Sequence, residues 1–170
     1  MAMGGCYLPT FLFNPPQVSL APAADMLHMT KQAKWDLYVT SYRVKDALGK
    51  TVLRRQKEQM EAIFEQLSPW EPEIYVHQRD LICNGFIDYF ELRQQLQKLF
   101  PSVARSAATL AYRDLVHLCA ILGLGETKER PHLLPSARLW INSSTDGNPH
   151  QLRQWCQLKL MLSCNPYSWP

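Results

Sequence analysis

Ser102 to Leu122 reads SVARSAATLAYRDLVHLCAIL, the most regular pattern in the chain. Ala104, Ala108, Ala111, Leu115, Leu118 and Leu122 recur at alternating steps of four and three residues, which aligns them on one face of an α-helix. Ser102 stands where an N-cap hydroxyl belongs. Val103, Ala107, Leu110 and Ile121 widen the apolar face so far that the helix is expected to lie at the centre of the molecule, with small residues letting neighbours approach. Gly123 and Gly125 close it.

Helical spacing continues upstream. Trp35, Tyr38, Val39 and Tyr42 predict a helix from about Thr30 to Leu48, stopped at Gly49. Leu53, Met60, Ile63, Phe64 and Leu67 predict another from about Thr51 to Leu67, ended by Ser68-Pro69 and Glu71-Pro72. Phe86, Tyr89, Leu92, Leu96 and Leu99 predict a third, running up to Phe100-Pro101. Residues 73–85 admit two readings, a short helix or an extended piece, through Ile74-Tyr75-Val76 and Leu81-Ile82. Residues 126–148 read mainly as loop because of Pro131, Pro135 and Asp146-Gly147. A last helix is expected from Asn148 and Pro149 to about Cys164, with the alternation of Leu158, Leu160 and Leu162 leaving a strand as the minor alternative. The expected fold class is therefore all-α, an irregular bundle of about five helices.

The first 24 residues differ from the rest. They contain no charged side chain and four prolines, which favours extended backbone over helix. Residues 1–24 are expected to form an extended apolar arm, and 25–170 a single helical domain. An uncharged arm needs a surface to lie on, so Tyr7, Leu8, Phe11, Leu12 and Phe13, with Tyr167 and Trp169 at the other end, are the expected protein interface. The expected function is that of a non-catalytic accessory subunit or adaptor whose partners are other protein subunits.

The 170 residues are 46% hydrophobic and 19% charged, as in a globular chain of one domain. Charge is unevenly spread along them. Eight basic residues (Lys31, Lys34, Arg43, Lys45, Lys50, Arg54, Arg55, Lys57) precede a block of eight acids between Glu58 and Glu91. With Trp35, Tyr38 and Tyr42 interleaved, the basic segment supports a second reading, a nucleic-acid contact in a ribonucleoprotein. The net charge of +3 falls short of a dedicated binder's footprint. Pairing between the adjacent blocks along a helix is the simpler explanation.

No metal site, cofactor or catalytic residue is expected. The five cysteines form no CxxC pair, and His132, His150 and Cys156 lack zinc-type spacing. There is no GxSxG, HExxH or phosphate-cradling glycine loop, so the protein is not expected to be an enzyme. The string Asp80 to Glu91 resembles a calcium-binding EF-hand loop through Asp80, Asn84, Gly85, Ile87, Asp88 and Glu91, which would imply calcium as its ligand. It departs from that pattern at Leu81, Ile82 and Cys83, where polar residues belong. No secretory signal or membrane span is visible, which leads to an expected intracellular location, with a membrane-adjacent position as a variant.

Overall fold

The computed structural model describes residues 4–16, 30–50, 54–108, 134–145, 147–157 and 159–169. Its elements in chain order are β1 (Phe11–Phe13), α1 (Lys31–Lys50), α2 (Arg54–Leu67), β2 (Glu73–His77), α3 (Gly85–Leu99), α4 (Pro101–Ala108), β3 (Ala137–Asn142), a 3₁₀ turn (Leu152–Cys156) and β4 (Leu162–Tyr167). The strands form one sheet in the order β1-β2-β3-β4, with β1, β2 and β3 parallel and β4 antiparallel to β3. The protein is α/β, and the all-α expectation is corrected.

The physical reason lies in four short runs. Ile74 and Val76 alternate with Tyr75, so that Ile74 and Val76 are wholly buried on one face. Pro72 before them and the turn at Asp80 after them leave too little length for a stable helix. Residues 137–142, expected as loop, also alternate: Ala137 and Leu139 are buried, while Arg138 is exposed. A branched and aromatic Leu-Trp-Ile run suits a pleated surface. The expected final helix is absent among the described residues. Asn148 Oδ1 instead accepts the His150 N–H at 3.0 Å, a turn-forming bond, and the chain makes one 3₁₀ turn before β4. Pro166 is tolerated in β4 because that strand lies at the sheet edge. β1 falls within the proline-rich arm and pairs with β2, Leu12 opposite Ile74.

One face of the sheet packs on α3. Ile74, Val76, Cys83, Phe86, Phe90, Ala137, Leu139 and Tyr167 form the main core. Each large side chain fully removed from water there contributes about 1.5–3 kcal/mol. The helix α3 turns Phe86, Phe90, Arg93 and Leu96 inward at steps of three and four. It ends where the Phe100 N–H bonds to the Leu96 carbonyl at 2.7 Å, and Pro101 opens α4 at a position that needs no donor. Tyr42 of α1, Leu96 of α3 and Ala104 of α4 make a second cluster, and Phe64 and Leu67 of α2 a third with Trp70 and Trp169.

The opposite face of the sheet carries a row of rings, one from each parallel strand. Phe13 stacks on Tyr75 at 4.6 Å and Tyr75 on Trp140 at 5.8 Å, while Trp155 meets Phe13 and Tyr75 edge-on. The alanine-rich helix is seen as α4 up to Ala108; the rest of that expectation, with its stripe to Leu122, lies outside the described residues. No helix among the described residues is long and apolar enough to cross a membrane.

Candidate active site

Three parallel strands end in polar residues on the same side of the molecule: Asn14 follows β1, His77 ends β2 and Asn142 ends β3. The carboxyl ends of parallel strands are where open α/β sheets place their ligand sites, because the chain leaves the sheet there in loops. Each of these residues holds a loop in place.

Asp80 sits in the turn after β2 and is 1% exposed. Its Oδ1 accepts the Ile82 N–H at 2.9 Å and pairs with His150 Nδ1 at 2.9 Å. Its Oδ2 is buried with no hydrogen-bond partner among the described residues. The His150 side chain is 50% exposed, so a buried carboxylate meets an imidazole that faces solvent. With Nδ1 committed to the carboxylate, the second nitrogen, Nε2, is the one left to exchange a proton. A carboxylate behind a histidine fixes the tautomer and stabilises the imidazolium when it forms.

The loop carrying His150 is tied to the sheet from three sides. The Asn14 amide donates to the Pro149 and His150 carbonyls, both at 3.4 Å, and its Oδ1 accepts from Gln154 Nε2 at 3.5 Å and Trp155 Nε1 at 3.2 Å. Asn14 adopts a φ of 46°, a left-handed conformation that asparagine tolerates better than most residues. Asn142 Nδ2 donates to Gln154 Oε1 at 3.4 Å, while its Oδ1 accepts the Ser144 N–H and hydroxyl at 3.0 and 2.7 Å. His77 bonds the Ser144 carbonyl through Nε2 at 3.1 Å and accepts the Arg79 N–H on Nδ1 at 3.0 Å. Burial pushes the His77 pKa below the usual imidazole value of 6.5, against a smaller opposing effect of the bond to Ser144. Burial also pushes the Cys83 thiol up to about 12. Among the described residues no serine hydroxyl or cysteine thiol is bonded to a histidine ring.

The residues expected from the sequence as sites lie elsewhere. Tyr7, Leu8, Phe11 and Phe13 are partly exposed, the Tyr7 hydroxyl donating to the Gln66 carbonyl at 2.6 Å, and Leu12 packs against the main core. Tyr167 is buried against Phe90 at 4.7 Å, and Trp169 meets Phe64 edge-on at 4.7 Å. Of the eight basic residues on or near α1 and α2, Arg43 lies over the Phe100 ring and Lys50 pairs with Asp46. The side chains of Lys31, Lys34, Lys45, Arg54, Arg55 and Lys57 lie outside the described part. In the calcium-like string Asp80 is engaged by His150, Leu81 and Ile82 are exposed, and α3 begins at Gly85. No group of three or more His, Cys, Asp or Glu among the described residues could hold a metal ion. In the sequence His150 shows only a lack of zinc-type spacing; its pairing with a residue 70 positions earlier leaves no local signature.

No protein-family model matches the chain, and no solved structure matches it significantly. The chain is 28% identical over 166 residues to a protein of Arabidopsis thaliana named GDSL esterase/lipase. The match takes in 91% of this chain but only 45% of that relative, so the chain spans less than half the relative's length. The string Gly-Asp-Ser-Leu spelled in that name does not occur here. The expectation of a non-catalytic adaptor, and with it that of a protein that is no enzyme, is corrected by this similarity, which points towards a hydrolase.

Proposed function

We propose that the chain acts in the hydrolysis of carboxylic esters, with the Asp80–His150 pair as its acid–base unit. The observation that carries this reading is the similarity to an esterase/lipase along 91% of the chain. The pair supports it by its chemistry and its position at the carboxyl end of the sheet.

In this reading neutral His150 takes a proton on Nε2 from a water as the water oxygen adds to the ester carbonyl carbon. Asp80, held by the Ile82 N–H, stabilises the imidazolium. The carbonyl then re-forms, the bond to the alcohol oxygen breaks, and Nε2 returns the proton to that oxygen. Acid and alcohol leave, and the histidine is neutral again. Positioned proton transfer of this kind contributes about 10²–10⁴-fold.

The test is release of 4-nitrophenol from 4-nitrophenyl acetate by the purified chain and its His150→Gln variant. The expected outcome is a saturable rate that the variant lowers about 10²–10⁴-fold. No release above buffer, or an unchanged rate in the variant, would refute the reading.

A further inference from the structure

We infer that His77 is a positioning residue, and that its neutral ring, not its charged one, holds the loop that carries His150 against Asp80. The inference rests on the acid–base reading of His150 and adds a group that controls it.

Two hydrogen bonds fix the protonation of His77. The Arg79 main-chain N–H donates to Nδ1 at 3.0 Å, so Nδ1 must present a lone pair. The proton of the neutral ring is then on Nε2, which donates to the Ser144 carbonyl at 3.1 Å. A charged ring carries protons on both nitrogens. Its Nδ1–H would face the Arg79 N–H, donor against donor, in a site where His77 is 1% exposed and water cannot substitute.

What depends on this ring is the loop after β3. Ser144 is tied to Asn142 by its own N–H and hydroxyl, and Arg79 Nη2 donates to the Thr145 carbonyl at 2.7 Å. The turn after β2 therefore grips residues 144 and 145 through His77 and Arg79 together. Five positions later the same loop delivers His150 to Asp80, which belongs to that same turn. Protonation of His77 keeps the Nε2 bond to Ser144 but turns Nδ1 from acceptor to donor against the Arg79 N–H, and so displaces Arg79, which supplies the second grip.

The groups facing His77 come from two elements. The turn after β2 brings Arg79, Asp80 and the Cys83 thiol, which lies against the His77 main chain. The end of β3 and its loop bring Asn142, opposite His77 in register, and Ser144, neither of them charged. Arg79 disfavours the charged ring and Asp80 favours it, and burial outweighs both.

The experiment is a pH titration of the assigned His77 and His150 imidazole Cε1–H resonances by NMR in the whole chain. Wild type is compared with His77→Gln, which keeps a donor near the Nε2 position without a titrating ring, and with His77→Phe, which has none. The expected result in wild type is a second inflection of the His150 resonance coinciding with the His77 titration, below pH 6.5. His77→Gln should show a single His150 step, and at pH 7.5 its resonance should match wild type, whereas that of His77→Phe is shifted. A single His150 step in wild type, blind to His77, overturns the inference even if neither variant folds. So does a second step that survives in His77→Gln. The readout needs no turnover: absence of ester hydrolysis alongside coupled titrations would sink the proposed reaction and leave the positioning role standing.

Discussion

His77, Cys83 and Arg93 are buried groups whose chemistry is set by what surrounds them. Because the folded chain holds the His77 pKa below 6.5, the unfolded chain binds more protons between the folded value and 6.5. Stability is therefore fully present above pH 6.5 and falls as pH is lowered towards the folded value. Urea unfolding at pH 7.5 and 5.5 should show the lower midpoint at pH 5.5, with the difference reduced in His77→Gln. Cys83, wholly buried with its thiol pushed up to about 12, should resist iodoacetamide at pH 8 in the native chain. Exposed Cys6, Cys156 and Cys164 should label, and peptide mass mapping reads the difference. Arg93 is 1% exposed and donates to the Leu134 and Pro135 carbonyls at 2.7 and 2.6 Å, with Tyr89, Phe90 and Trp169 around its guanidinium. Arg93→Leu leaves two carbonyls without their donor and should cost about 3 kcal/mol in urea unfolding.

Among the elements, β1 tests the topology most sharply. Its three residues alternate, Leu12 towards the main core and Phe11 and Phe13 towards the ring-bearing face. Leu12→Asp puts a charge into the core and should cost about 3 kcal/mol or more, whereas Phe11→Asp, at a position 55% exposed, should change stability by less than about 1 kcal/mol. Equal effects, measured by thermal or urea unfolding, would contradict the pairing of β1 with β2. The helices α1, α2 and α3 were legible within a few residues because their apolar positions repeat over three or more turns. The strands were not. Each is three to six residues long and two of them contain or adjoin a proline, β2 after Pro72 and β4 with Pro166, so the breaker residues overshadowed a brief alternation. Trp140 and Ile141, both of strand-favouring type, lay in a stretch whose Pro135 and Asp146-Gly147 read as loop.

Across the whole molecule, composition bounded the size but could not reveal a site assembled from residues far apart. Asn14, His77, Asp80, Asn142 and His150 span almost the full chain, and only the parallel ordering of β1, β2 and β3 brings them to one end. Asp80 was visible only as the start of a calcium-like string, and His150 only as a histidine without zinc spacing. The apolar ends read as surfaces for a partner are in part engaged within the chain: β1 pairs with β2, Tyr167 packs on Phe90 and Trp169 on Phe64.

If Asp80 and His150 act as one unit, removing either disables both, and their losses do not multiply. A double-mutant cycle on 4-nitrophenyl acetate hydrolysis, with Asp80→Asn, His150→Gln and the pair together, measures this directly. The expected result is a large loss in each single variant, with the double variant no slower than the slower single one. Losses that multiply, or a single variant as fast as wild type, would contradict the pairing of these two residues in catalysis.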